Sequence, residues 1–241
     1  MTFARAQEEE GTPTANLASF RAEALYQAKE YEQSLAVVRQ AREQFPNDPD
    51  LTGLEATLLR EAGDPDAAVA LVEALREKAP RDTKVLERVA DYYRRALDYE
   101  ASAAALRQAR EIEPESLSVL FQLGAVLERQ QKHDEAEAVF REALEIEPDS
   151  APVLNYLGYM NADRNIRVAE ALELIERAVE LDPNSAAYRD SLGWALYRLN
   201  RLEAAEEAVR KALEDDDNHA VILDHLGDIL NKRGRVAEAL L

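Results

Sequence analysis

Proline recurs along this chain at Pro46, Pro80, Pro114, Pro148 and Pro183, in steps of 34, 34, 34 and 35 residues. One further step of 34 reaches Asp217, where the proline is lost. A fixed period of this size constrains the fold more than any composition does. Each period must be one supersecondary unit that buries its apolar face only against its neighbours.

Aligning the blocks gives columns of small residues. The first is Ala22, Ala56, Ala90, Gly124, Gly158, Gly193 and Gly227; the second is Ser34, Ala68, Ser102, Ala136, Ala171, Ala205 and Ala239. A third small column is Ala41, Ala109, Ala143, Ala178 and Ala212, with Leu75 as its exception. A bulkier apolar residue sits between the last two columns: Val38, Val72, Leu106, Phe140, Ile175 and Val209. Within each block two stretches of about 13 residues carry apolar residues at i, i+3, i+4 and i+7, the helical period. Leu120, Leu123, Gly124 and Leu127 form one such face, and Ala136, Val139, Phe140 and Ala143 the next. A glycine inside a helix costs about 1 kcal/mol against alanine. Glycine at one register in four blocks therefore predicts close helix crossings. The proline ends the second helix, and oxygens such as those of Asn47-Asp48 and Asp149-Ser150 cap the next one.

These columns resemble the tetratricopeptide repeat (TPR) family, best over Leu117 to Ser150 and in all over residues 15 to 241. The resemblance implies an all-α, right-handed superhelical solenoid of antiparallel helix pairs. A flexible segment, 1–14, precedes repeats at 15–48, 49–82, 83–116, 117–150, 151–185 and 186–219 and a partial seventh at 220–241. Block two departs from the pattern, with Thr52 and Glu55 where large apolar residues are expected, and block five carries an extra residue within Asp163 to Val168. The seventh block stops early in its second helix without a polar cap. That reads as a fragment of a longer protein or as an end that meets a partner or another copy.

The formal net charge of -19 repels nucleic-acid backbones and anionic membrane surfaces and steers basic partners inward. It also serves solubility alone. There is no cysteine, so disulfides and thiolate chemistry are excluded. No apolar run approaches membrane-spanning length. Ala4-Arg5-Ala6 looks like the small-residue end of a cleaved export signal, a short pattern that also arises by accident.

Nothing in the residues points to catalysis, a cofactor or a phosphate loop. Asp190, Asp224, His225 and Asp228 can be drawn as a metal cluster, but solvated side chains on exposed helices are the simpler reading. His133, His219 and Asp215-Asp216-Asp217 read likewise as solvated turns and helix ends.

In the TPR family, the second, fifth, ninth and twelfth to thirteenth positions of a repeat face a concave groove. Carried over by position, the resemblance implies a peptide-binding groove made by Phe121, Asn155, Tyr159, Asp190, Trp194, Tyr197, Asp224 and Asp228, with Tyr156, at a sixth position, bordering them. Trp194, the single tryptophan, lies beside the core stripe of its own helix, where it can face a ligand or pack between repeats. Lys84, Arg88 and Arg95, with Arg94, form a candidate anion patch; Glu87 and Asp91 interleave as helix-face partners. Lys84 and Arg88 match half of the clamp by which some TPR domains hold a chaperone's C-terminal carboxylate. Ser19, Glu23 and Leu54 replace the other half.

From Asn155 to Leu199, and again at Asp224 to Asp228, the chain resembles the closing repeats of bacterial TPR proteins that are exported or held at the outer membrane, some of them adaptors for enzymes. The implied role is a non-enzymatic protein- or peptide-binding adaptor, in the bacterial periplasm more than the cytoplasm, with a basic or extended partner. It implies no direct membrane insertion, cofactor, metal or nucleic acid. Two other readings fit the same array: a structural array that self-assembles into a homo-oligomer through open ends, and the non-catalytic part of a larger enzyme.

Overall fold

The computed structural model describes residues 14–215 and 219–239. Among them the chain is entirely helical, in antiparallel pairs. The pairs are α1 (Ala15–Gln27) with α2 (Tyr31–Gln44), α3 (Pro49–Glu61) with α4 (Pro65–Lys78), and α5 (Thr83–Arg95) with α6 (Tyr99–Ile112). Then come α7 (Leu117–Arg129) and α8 (His133–Ile146), α9 (Ala151–Asp163) and α10 (Val168–Leu181), α11 (Ala186–Arg198) and α12 (Leu202–Asp215), and α13 (Ala220–Lys232) and α14 (Val236–Ala239). The helices gather into two compact units, one ending at Ala136 and the other beginning at Glu137.

Side-chain chemistry sets the helix starts. Thr14, Asp48, Asp82 and Ser185 each accept the backbone N–H three residues on, from Leu17, Leu51, Val85 and Tyr188. Asp64 and Asp98 do the same at the second helices α4 and α6. Ser150, expected to cap α9, stands at the cap position without a side-chain bond. Thr14 thus caps α1; the rest of the expected flexible segment, with Ala4-Arg5-Ala6, lies outside the described residues, as do Asp216 and Asp217.

Every turn between paired helices uses one device. The second residue after the first helix is left-handed: Lys29, Gly63, Leu97, Gln131, Asn165, Asn200 and Gly234. The residue after it donates its N–H to the carbonyl five back, as Glu30 does to Leu25 and Asp98 to Tyr93. The extra residue of block five is absorbed by a second left-handed residue, Arg167 at φ 45°.

In the first unit α1 packs on α3 and α3 on α5, with α2 and α4 each contacting the next first helix. Leu51 and Val38 are wholly buried here, each stabilising by about 1.5–3 kcal/mol. The irregular block two proves well satisfied. Thr52 donates to Asp48 O at 2.7 Å, and buried Glu55 accepts Arg39 Nε at 3.1 Å and a guanidinium N–H of Arg42. Ser34 and Ser102, in the second small column, donate to Ala22 O (2.7 Å) and Ala90 O (2.8 Å) of the partner helix.

In the second unit α9, α11 and α13 pack in sequence, backed by α10 and α12. The glycine column fits tightly at two places. A Cβ on Gly158 would stand 2.6 Å from Ile175 Cγ1, and one on Gly193 2.3 Å from Val209 Cγ2. At Gly227 the nearest atom among the described residues is 3.7 Å away, so their packing does not require glycine there.

Candidate functional site

Helices α9, α11 and α13 of the second unit frame a pocket of about 390 Å³. Asn155, Tyr156 and Tyr159 come from α9, Asp190 and Ser191 from α11, and His219, Val221 and Ile222 from the start of α13. Four of the nine expected groove residues therefore meet here: Asn155, Tyr156, Tyr159 and Asp190.

Two acceptors on these walls are Asn155 Oδ1 and the Asp190 carboxylate, beside Tyr156, Tyr159, Ser191 and His219, which both donate and accept. Asn155 Oδ1 is buried, and no donor among the described residues reaches it. Asp190 is buried, with its two carboxylate oxygens 2.9 and 3.0 Å from His225 Nδ1. Tyr156 packs on Phe140, with ring centroids 5.1 Å apart, and Tyr159 lies 6.3 Å from the His225 ring. Val221 is 47% exposed at the mouth. An apolar floor with convergent acceptors suits a segment that brings N–H donors and an apolar side chain.

Trp194 is not on these walls. It is 8% exposed and belongs to the core of the second unit. Its indole stacks on His225 at 4.3 Å and on Tyr197 at 5.0 Å. Its N–H donates to Asp163 Oδ1 at 3.2 Å, and Arg198 lies over the ring while donating to Ala162 O. The stripe of one helix excludes Trp194, but the seam between successive repeats takes it in. His225, read as solvated from its acidic neighbours, is buried in the same stack. Asp224 and Asp228 are exposed on α13, and Lys232 covers Tyr197, its amine 4.3 Å from the ring centre. Phe121 is half-buried on α7, in the first unit, and is not a wall of this pocket.

The cations of the anion patch are already paired. Lys84 Nζ lies 2.9 Å from Asp50 Oδ2, Arg88 pairs with the same carboxylate, and Arg95 Nε lies 2.9 Å from Oδ2 of Asp91, whose Oδ1 takes Arg94. Burial pushes the Asp50 carboxyl up, but Lys84 and Arg88 outweigh it and hold it below the usual range. Glu87, expected to pair along its own helix, instead accepts Ser118 Oγ and Gln122 Nε2, each at 2.7 Å. Asp50, the partner missed in the sequence, comes from the preceding repeat, a distance that i, i+4 reasoning along one helix does not reach. His219, Val221 and Ile222 were missed for a similar reason, since they enter from the next repeat's start.

Tetratricopeptide repeat family models match over residues 88–151 and 157–221 in one case and over 7–90 in another. A TPR repeat-containing protein of Pseudomonas aeruginosa is 50% identical over 50 residues, 21% of this chain but 8% of that protein's length. Among solved structures, MamA of Desulfovibrio magneticus aligns over 66% of this chain and 89% of its own, with a TM-score of 0.58 and 22% identity. A chain of the Cut9–Hcn1 hetero-tetramer of the APC/C aligns over 94% of this chain and 45% of its own, with a TM-score of 0.66 and 15% identity.

Proposed function

Because the chain belongs to the tetratricopeptide repeat family, whose arrays generally mediate protein–protein interaction and are typically non-catalytic, we propose that it is a non-enzymatic adaptor. It holds an extended segment of a partner protein in the pocket framed by α9, α11 and α13. The observation that carries this reading is the buried, unpartnered Asn155 Oδ1 on a wall shared with Tyr156 and Tyr159. A buried acceptor left without a donor is costly, and a peptide N–H entering the pocket supplies one. Tyr156 and Tyr159 offer stiff apolar contact, and Asp190, Asp224 and Asp228 favour a segment that carries a lysine or arginine. The Pseudomonas aeruginosa relative supports a bacterial setting.

Selection from a random peptide library on the wild-type chain, followed by affinity measurement on Asn155→Leu, tests this. The substitution keeps the volume and removes the acceptor. Selected peptides should bind the variant at least about tenfold more weakly, with the thermal midpoint unchanged or raised. Equal affinity for both proteins would remove Asn155 from the site and the reading with it.

A further inference from the structure

A second pocket, also of about 390 Å³, lies in the first unit between α1, α3 and α5. Its floor is Gly53, in the middle of α3. Glycine inside a helix is destabilising relative to alanine, so it needs a reason. At Gly158 and Gly193 packing gives one. At Gly53 it does not: among the described residues an added Cβ would meet nothing closer than Arg88 Cβ at 3.9 Å, an ordinary contact. The same register one repeat earlier and later holds Ser19 and Glu87, so the fold does not demand a small residue there. What the missing side chain does is open the pocket floor to the backbone of α3.

The other walls say what would lie on that floor. Leu54 and Tyr92 flank it, and Phe20 stands at the rim, 70% exposed. Four of the charged side chains beside them are paired with one another, Arg88 with Asp50 and Arg95 with Asp91, and the fifth, Glu23, accepts Gln27 Nε2 at 2.9 Å. An anion would have to break one of these pairs and would meet Glu23, and a cation would meet the Arg88 and Arg95 guanidinium groups. A flat neutral ring meets neither obstacle, and guanidinium groups accept aromatic faces readily. Ser19 Oγ, buried on the same wall, has no partner among the described residues and can donate to a peptide carbonyl.

We propose that this pocket binds a phenylalanine or tyrosine side chain of a partner polypeptide, with the ring lying over Gly53. The site is independent of the Asn155 pocket and does not rest on it.

The test uses the full chain, isotopically labelled, titrated by NMR with a capped heptapeptide of serine and alanine carrying one central phenylalanine. Controls carry alanine or aspartate at the centre. The phenylalanine peptide should shift the signals of Ser19, Gly53 and Leu54, and the controls should bind at least about tenfold more weakly. Gly53→Leu, which fills the floor, should weaken binding at least about tenfold without lowering the thermal midpoint. Phe20→Ala, at an exposed position, should weaken it without any change in stability, and Asn155→Leu should leave it unaltered. Equal binding of the alanine peptide, no binding of the phenylalanine peptide at millimolar concentration, or full affinity in both Gly53→Leu and Phe20→Ala would each overturn the proposal.

Discussion

Glycines at one register of the repeat have opposite worth depending on what faces them. Gly193→Ala would drive a methyl to within 2.3 Å of Val209 Cγ2 and 3.1 Å of Ala205 O. The overpacking, about 1–3 kcal/mol, outweighs the gain in helix propensity of about 1 kcal/mol, so this variant should be less stable. Gly227→Ala meets, among the described residues, only Ala239 O at 3.7 Å and should be more stable, by about 1 kcal/mol. Denaturant unfolding of the two variants against wild type checks the sign of each. Trp194 makes the complementary case. Its indole is stacked on His225 and Tyr197 and hydrogen-bonded to Asp163, so Trp194→Ala should cost about 3–5 kcal/mol. A variant that kept its thermal midpoint while losing a peptide ligand would return Trp194 to a recognition role.

At the scale of the helix pair, the turn is the element the repeat reproduces most faithfully. Gly63 takes φ 87° there, and no atom of the described residues lies within 4 Å of where its Cβ would be. Gly63→Ala should therefore cost about 1 kcal/mol by backbone strain alone, measurable by thermal unfolding; no loss would mean that the turn relaxes toward the geometry of Lys29 or Gln131. The pairs and their register were legible in the sequence because proline and the small columns act through local sterics. Glycine or asparagine, which suit the left-handed turn, stand there at Gly63, Asn165, Asn200 and Gly234, and at Lys29, Leu97 and Gln131 the flanking helices impose it. Thr52 and Glu55 read as a weakened repeat because their partners, Asp48 O and the Arg39 and Arg42 guanidinium groups, lie outside the periodic pattern. Asn155, Tyr156, Tyr159 and Asp190, expected together by position, line one pocket. Trp194, Asp50 and His225 were misplaced or missed because their environment is made by side chains one repeat away. Asn161 shows the same limit: it is wholly buried where Leu127, Leu196 and Leu230 stand in other repeats, with neither carboxamide atom partnered among the described residues.

Across the whole molecule a net charge of -19 works against the folded chain by self-repulsion, and protonating exposed, unpaired carboxylates relieves it. Paired carboxylates behave the other way. Glu206 is buried; burial pushes its carboxyl up, but hydrogen bonds from Arg210, Arg235 and Arg233 outweigh that and hold it below the ordinary range. Glu137 is held down in the same manner by Arg141 and Arg167. A carboxyl whose pKa is lower in the folded than in the unfolded chain contributes stability that is fully present above its unfolded value, about 4.3 for glutamate. That contribution is lost as pH falls through the folded value. Glu206→Gln removes the charge at every pH. At neutral pH it should destabilise by about 2 kcal/mol, less than a fully enclosed pair because the arginines still reach water. The gap between wild type and variant should stay constant down to about pH 5, then narrow and close as Glu206 itself becomes neutral. Denaturant unfolding of both proteins from neutral pH into the acid range reads this directly. A gap that persists in acid would mean that Glu206 stabilises the chain by its packing, with its charge adding nothing to the three arginines around it.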